Sequence, residues 1–186
     1  MRRALLLVLL SLPFAAFAQA DANERLREAS RRNDAAAFRQ LLAAGADVNA
    51  KDTQQDSAFL IASREGHAEL VAAALAAGAD VRSLNRYGST ALFGPSYRGH
   101  VETVRVLLGA SFDLHHVNSL GWTALLEAIV LGQDGPRHRQ IVRMLIDAGS
   151  DVNRPDREGV TPLQHAQRRG QAEVGRMLRA AGARES

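Results

Sequence analysis

A spacing of 33 residues recurs along this chain of 186 residues and restricts its fold more than any other feature. The segment AAGADVNA begins at Ala43, and the related segments AAGADVRS and GASFDLHH begin at Ala76 and Gly109. The next copy, DAGSDVNR, follows after 38 residues. A second series, GSTALF, GWTALL and GVTPLQHA, begins at Gly88 and shows the same spacings of 33 and 38. Two series that share one period and one insertion indicate a repeat array.

Every repeat unit follows the same plan of a turn and two helices. The turn carries Asp or Asn followed by Gly, and the Ser or Thr after it can N-cap a helix. We expect these caps at Ser57, Thr90, Thr123 and Thr161. The short first helix is expected to end at Gly66, Gly99, Gly132 or Gly170. The second helix shows apolar pairs, as in ELVAAALAAG, and the glycine that closes it suits a left-handed backbone.

Several motifs in these units resemble the ankyrin repeat family, whose signature is T-P-L-H-x-A with a 33-residue period. The segment TPLQHA at residues 161–166 is the nearest copy, and EGHAELV, RGHVETV and the GADV segments agree with it. The resemblance covers essentially all of residues 21–186 as five units, namely 21–51, 52–84, 85–117, 118–155 and 156–186. It implies an all-α solenoid of helix-turn-helix units with short β-turn fingers along one edge.

Two units depart from the family pattern. Gly94 and Pro95 fall inside the first helix of the third unit, where proline removes a backbone hydrogen bond and is expected to kink or shorten the helix. The fourth unit carries five extra residues between Gly132 and His138. Glycine and proline in this insertion predict a loop between the two helices of the unit.

The first twenty residues have the pattern of a secretory signal peptide, with two arginines, an apolar run over residues 4–12 and small residues at two cleavage positions. Cleavage after Ala18 or after Ala20 fits the pattern equally well. An uncleaved N-terminal anchor is the alternative, although Pro13 makes the apolar run short for a membrane span. We therefore expect residues 1–20 to be a signal peptide and the protein to be periplasmic or secreted.

Charge and cysteine content exclude several classes of function. Removal of Arg2 and Arg3 with the signal would reduce the number of Lys and Arg residues from 23 to 21, against 20 Asp and Glu residues. The net charge of the remaining chain would then be too small to attract nucleic acid strongly. The chain has no cysteine, which excludes disulfides, thiolate catalysis and cysteine-bound zinc. We expect no nucleic-acid partner, and contact with a membrane only if the signal stays uncleaved.

Repetition accounts for most residues that could carry chemistry. Asp47, Asp80, Asp113 and Asp151 recur after each second helix, and periodic carboxylates along a solenoid do not converge as general acid and base. In ankyrin proteins the Gly-His histidines, here at His67 and His100, bond between units. The adjacent His115 and His116 provide two metal ligands without a third. The sequence therefore predicts neither catalytic residues nor a cofactor nor a metal site.

The resemblance implies partner-binding positions on the fingers and before the glycine that ends each first helix. All three Trp and Tyr residues, Trp122, Tyr87 and Tyr97, fall at such positions in the two central units. Trp, Tyr and Arg are enriched at binding hot spots. The predicted surface consists of Arg86, Tyr87, Ser89, Tyr97, Arg98, Leu120, Trp122, Val130, Leu131 and Arg168. We expect Trp122 to be displayed there rather than buried in the core.

The predicted function is that of a non-enzymatic, monomeric interaction module that binds another exported protein through its concave surface. Its partner could be inhibited or stabilised by the contact, as with an immunity factor for a cell-wall enzyme. Two alternatives remain open from the sequence. One is a structural scaffold tethered by the uncleaved N-terminus, and the other is a ligand- or metal-binding enzyme.

Overall fold

A computed structural model describes residues 8–184 of the chain, with side chains from residue 16 onward. Within this range the elements are helices, arranged as successive pairs. Their bounds are α1 Val8–Arg32, α2 Ala35–Ala43, α3 Ala58–Glu65, α4 Ala68–Ala76, α5 Phe93–Arg98, α6 Val101–Leu108, α7 Ala124–Val130, α8 Pro136–Asp147, α9 Pro162–Arg168 and α10 Ala172–Ala180.

The ten helices form two layers. The first helices of the units, α1, α3, α5, α7 and α9, pack side by side in one layer, and the second helices pack in the other. Each pair also packs within its own unit, and the apolar side chains between the layers form one continuous core that includes Phe38, Phe59 and Leu125. The predicted all-α solenoid is thereby confirmed.

Each pair of helices after the first is preceded by a finger, which is a tight turn closed by hydrogen bonds to the side chain of its first residue. In the third unit the Asn85 side chain accepts hydrogen bonds from the backbone N–H groups of Tyr87 at 2.8 Å and Ser89 at 3.1 Å. Gly88 has a φ of +68°, which a residue with a side chain rarely adopts. Asp52, Asn118 and Asp156 close the other three fingers in the same way. The predicted turn chemistry is confirmed.

The capping prediction holds in three units and is wrong in one. Ser57, Thr123 and Thr161 each accept a hydrogen bond from the third backbone N–H of their helix. Thr90 caps no helix, because α5 begins only at Phe93. Pro95 has no N–H to offer the carbonyl of residue 91, so the first turn is lost. Pro95 then takes the third helical position, where the N–H would be free in any helix.

The five-residue insertion of the fourth unit is only partly a loop. The first helix ends at Val130 and the second begins at Pro136, two residues before His138. The inserted residues thus form a short loop and then extend α8 to 12 residues. Pro136 occupies the first helical position, which favours proline, and the Arg139 guanidinium donates to Asp134 at 2.9 Å across the loop. The loop predicted over the whole insertion is therefore corrected.

At the N-terminal end, α1 runs continuously through both predicted cleavage positions into the first unit. Residues 1–7, which include the two arginines of the predicted signal peptide, lie outside the described residues. Over the part of the chain that is described, no helix combines the length and the apolar character that a membrane crossing requires.

Candidate partner-binding surface

A cavity of about 310 Å³ opens between the fingers and the first helices of the second, third and fourth units. Finger residues form one wall, and α3, α5 and α7 form the other. The lining residues are Asp56, Leu60, Arg64, Asn85, Arg86, Tyr87, Ser89, Thr90, Ala91, Phe93, Gly94, Tyr97, Asn118, Leu120, Glu127 and Leu131. The concave surface, defined as the fingers with the first helices, thus contains a real recess at its centre.

Six of the ten residues predicted to bind a partner line this cavity. They are Arg86, Tyr87, Ser89, Tyr97, Leu120 and Leu131. Tyr87, Leu120 and Leu131 are 56%, 55% and 48% exposed, so large apolar groups face solvent at its rim. Ser89 is the exception, because it is only 4% exposed and its hydroxyl accepts from the Asn118 side chain at 3.3 Å.

The other four predicted residues lie outside the cavity. Trp122 is half-buried and belongs to neither the core cluster nor the cavity lining. It is therefore less displayed than expected. Val130 and Arg98 also lie beside the cavity rather than in it. Arg168 lines a second, shallower recess of about 440 Å³ with Leu131 and the inserted loop.

The arginines at the rim are held by neighbouring rings and carboxylates. The Arg86 guanidinium lies 4.8 Å from the centre of the Tyr87 ring and donates to the Gln54 side chain and the Tyr87 hydroxyl. Arg64 is paired with Asp56 at 2.6 Å and with Glu65 at 3.0 Å. Two arginines therefore border the cavity, and the charge of Arg64 is balanced by Asp56 and Glu65.

Glu127 is the cavity residue that the sequence reasoning missed. It is 6% exposed, and its Oε1 accepts a hydrogen bond from Asn118 at 2.8 Å. Its other oxygen, Oε2, is buried without a hydrogen-bond partner among the described residues. Burial raises the pKa of Glu127 to about 7, although the bond from Asn118 acts to lower it. The available signal was a single charge inside the apolar segment TALLEAIV.

Each unit that begins with a finger has a residue equivalent to Glu127, nine positions after the Asp or Asn of that finger. The second unit has Ile61 there, the third has Gly94 and the fifth has His165. The His165 ring bonds Asp156 at 2.7 Å, as Glu127 bonds Asn118. Gly94 has no side chain, and the backbone of α3 at Arg64 packs closely against it on the cavity wall.

The periodic aspartates and two of the histidines, His116 and His138, have structural hydrogen-bond partners. Asp47, Asp80, Asp113 and Asp151 each accept from the backbone N–H two residues later and do not converge. The His116 ring bonds the Gly88 carbonyl at 2.7 Å. Of the Gly-His histidines, His67 has a buried Nε2 without a partner among the described residues. The bond between units is made instead by His138, which contacts the Tyr97 carbonyl at 2.8 Å.

Residues 8–184 contain no group of three or more His, Cys, Asp or Glu side chains placed to hold a metal ion. The polar groups of the concave surface are likewise dispersed among apolar and aromatic side chains. Fold and surface together define a class of protein, a helical repeat solenoid that presents a concave surface to a macromolecule.

The chain belongs to the ankyrin repeat family. The family model described as "Ankyrin repeats (3 copies)" matches residues 26–116 and again residues 96–185. The ankyrin repeat protein YahD of Escherichia coli (strain K12) is 44% identical over 59 residues, which are 32% of this chain. The matched part is only 29% of YahD. Ankyrin repeats generally mediate protein–protein binding, so the family assignment indicates an interaction module.

Two solved structures are similar over most of the chain. An ankyrin repeat domain from Acinetobacter baumannii AYE is 51% identical with a TM-score of 0.82, over 84% of this chain and 80% of that one. The ankyrin repeat protein EF0377 is 32% identical with a TM-score of 0.80, over 86% of this chain and 80% of that one. Both agree with the two-layer arrangement described above.

Proposed function

We propose that this protein is a non-enzymatic, monomeric binding module of the periplasm that holds another exported protein on its concave surface. The partner would be inhibited or stabilised by occlusion of the surface it buries. The observation that carries the proposal is the convergence of six predicted contact residues on one cavity, with Tyr87, Leu120 and Leu131 exposed at its rim. Exposed apolar clusters rimmed by polar groups are typical of interaction sites.

The composition of the rim favours a protein partner. Tyrosine and arginine side chains bury large areas and keep polar groups for hydrogen bonds, which makes them frequent hot-spot residues. Tyr87 and Tyr97 each lie beside an arginine, at 4.8 and 5.5 Å from ring centre to guanidinium. These pairs are held in place before binding, which reduces the entropy lost on association.

Affinity capture from a periplasmic extract tests the proposal. The bait is the purified exported protein, and the variant is Tyr87→Ala/Tyr97→Ala/Leu120→Ala, which removes three side chains around the cavity. Arg105→Ala is the matched control, since Arg105 lies on α6 in the outer layer and pairs only with Glu102 at 3.2 Å among the described residues. We expect one exported protein to be retained by wild type and control and lost from the variant. Retention by all three would contradict the proposal.

Export is tested by sequencing the N-terminus of the protein recovered from the periplasm. Gln19 supports a start at residue 19, because its side chain donates to the Gly45 carbonyl at 3.0 Å while Asn23 accepts from Asp47 at 2.8 Å. At the next junction Asn49 alone makes both kinds of bond, since its side chain donates to the Gly78 carbonyl and accepts from the Asp80 N–H. We expect cleavage after Ala18, which retains Gln19. A start at Met1 would instead support the tethered scaffold.

A further inference from the structure

Glu127 places an acidic group at the cavity with half of its hydrogen-bonding capacity unused. Oε1 is held by Asn118 at 2.8 Å, whereas Oε2 has no partner among the described residues and is shielded from solvent. A buried carboxyl oxygen without a partner is costly, so natural proteins rarely retain one without a reason. Glu127 is one of the residues that line the cavity, and a rotation about the soft terminal torsion of its side chain brings Oε2 within reach of a group held there.

The described residues do not supply that group, although two guanidinium groups border the same cavity. Arg64 is bonded to Asp56 and Glu65, and Arg86 is directed to Gln54 and the Tyr87 hydroxyl. Neither arginine bonds Glu127. A cation that bonds Oε2 would therefore have to come from a ligand.

The walls between the opening and Glu127 suit the stem of a long basic side chain. Leu60, Phe93 and Leu131 give apolar surface, and the Tyr87 and Tyr97 rings lie near the opening. Methylene stems of lysine and arginine pack on such surfaces, and their cations are attracted to aromatic rings. A volume of about 310 Å³ is at the lower limit for ligand pockets, which fits one side chain better than a whole helix.

We infer that this cavity is the socket for a lysine or arginine side chain of the exported partner, with its charged group bound to Oε2 of Glu127. The inference rests on the proposed function and specifies the chemistry of its central contact. A charge-assisted hydrogen bond to a carboxylate is roughly twice as strong as a neutral one. Insertion of a cation would therefore satisfy Oε2 and stabilise the ionised form of Glu127.

Binding coupled to ionisation makes the interaction depend on pH. Burial raises the pKa of free Glu127 to about 7, so the empty cavity holds a largely neutral acid below that pH. A cation binds the ionised form, and its affinity should rise between pH 6 and pH 8. The titratable and charged groups that line the cavity with Glu127 are Asp56, Arg64, Arg86, Tyr87 and Tyr97. On the helices that pack against α7, His138 of α8 bonds the Tyr97 carbonyl and His165 of α9 bonds Asp156.

A titration followed by carbon NMR tests the inference on the purified exported protein labelled at its glutamate carboxyl carbons. The probes are Nα-acetyl-arginine N-methylamide and its neutral isostere, Nα-acetyl-citrulline N-methylamide. Glu127→Gln identifies the Glu127 signal, and Glu102→Gln on α6 is the control at an exposed carboxylate. We expect the arginine probe to lower the Glu127 pKa by one unit or more and to bind about tenfold more tightly at pH 8 than at pH 6.

Equal binding of the citrulline and arginine probes, or a Glu127 signal that neither probe changes, would overturn the inference. These measurements use the wild-type protein, so they remain decisive even if Glu127→Gln fails to fold. Capture of the partner distinguishes failure of the socket at Glu127 from failure of the proposed binding function. A partner retained equally by Glu127→Gln and wild type at pH 8, but lost from Tyr87→Ala/Tyr97→Ala/Leu120→Ala, would overturn the socket and leave the proposed function standing.

Discussion

Glu127 places a carboxyl group at a position that is otherwise part of the packing between fingers and helices. The second unit fills the same position with Ile61, and the fifth has His165, whose ring is hydrogen-bonded to Asp156. Glu127 has only a neutral partner, Asn118, which cannot compensate a full negative charge. Ionisation of Glu127 in the folded protein is therefore unfavourable, and stability should depend on pH through this one residue.

The free energy of unfolding of wild type should fall relative to Glu127→Gln as pH rises. The folded-state pKa, about 7, lies above the ordinary value of 4.5, so the folded protein binds the proton more tightly than the unfolded chain. The resulting stability is complete below about pH 4.5 and is lost as pH rises to about 7. The difference between the two proteins should change by up to about 3 kcal/mol across this window.

Urea unfolding of both proteins at pH 5 and pH 8 measures this change. The other titrating groups are common to the two proteins, so their contributions cancel in the comparison. Parallel stability profiles would show that Glu127 ionises in the folded state as freely as in the unfolded chain, and would contradict the burial described here.

Single residues were the least predictable level of this structure. The repeat position of Tyr87 and Leu120 is enough to predict the side of the solenoid that they face, but not the cavity that they line there. The burial of Ser89 depends on the neighbouring finger, where Asn118 bonds its hydroxyl, and a repeat position contains no such information. Glu127 was overlooked because its environment consists of residues from three units, which only the folded chain brings together.

At the scale of elements, α5 shows how one short segment shapes the cavity wall. Pro95 delays the helix to Phe93 and leaves six residues, the shortest of the described helices. Gly94 allows α5 to approach α3 closely, because a Cβ at this position would lie 3.1 Å from Arg64 Cα. The same approach holds Arg64 beside the cavity, where it is bonded to Asp56.

Gly94→Ala and Gly175→Ala should change the free energy of unfolding by different amounts or in opposite directions. Both glycines lie inside helices, where alanine is favoured by about 1 kcal/mol. A Cβ at Gly175 would meet only the tip of Arg179 at 3.5 Å and Leu163 at 3.9 Å, so that gain should appear in full. At Gly94 the close contact of the new Cβ with the Arg64 backbone opposes this stabilisation. We expect the free energy of unfolding of Gly94→Ala to stay unchanged or to fall by about 1 kcal/mol.

Thermal and urea unfolding of the two variants measure these changes in the free energy of unfolding. A shift in the NMR resonances of the cavity-lining residues in Gly94→Ala would report displacement of α5. Equal stabilisation by both substitutions would contradict the tight approach of α5 to Arg64.

Elements were more predictable than residues, since caps and turn glycines act over a few neighbouring positions. Ser57, Thr123 and Thr161 cap as expected because their helices begin at the next residue. Thr90 failed because Pro95, five residues later, prevents the first turn. The insertion was misjudged because Pro136 was interpreted as a loop residue, although proline is equally suited to the first position of a helix.

The whole molecule is a one-dimensional array in which each unit packs on its neighbours. Stability in such arrays depends on the contacts between adjacent units. Asn49 fixes the junction between the first and second units, donating to the Gly78 carbonyl at 3.0 Å and accepting from the Asp80 N–H at 2.8 Å. Asn153 does the same near the C-terminal end, through Gly182 and Arg184.

Asn49→Ala should lower the free energy of unfolding by about 1 kcal/mol, because two backbone groups of the next unit lose their partner. Arg82→Ala is the matched control, since Arg82 occupies the equivalent position one unit later and its side chain is 91% exposed. We expect the control to change stability by less than about 0.5 kcal/mol. Equal effects in urea unfolding would mean that the asparagine bonds add nothing to the junction.

The array was the most predictable level, because a repeated period determines the sequence of elements and neighbours without any knowledge of individual contacts. The central cavity was not, since it depends on the glycine, the proline and the buried acid of two adjacent units. The binding role of the concave surface is the claim on which the function depends.

Site-specific photo-crosslinking in living cells tests that claim most directly. A photoreactive phenylalanine analogue replaces Leu120 at the cavity rim or, as the control, Arg105 on the outer layer. Binding on the concave surface predicts a covalent adduct with one exported protein from position 120 and none from position 105. No adduct from position 120, or the same adducts from both positions, would contradict a partner seated on the concave surface.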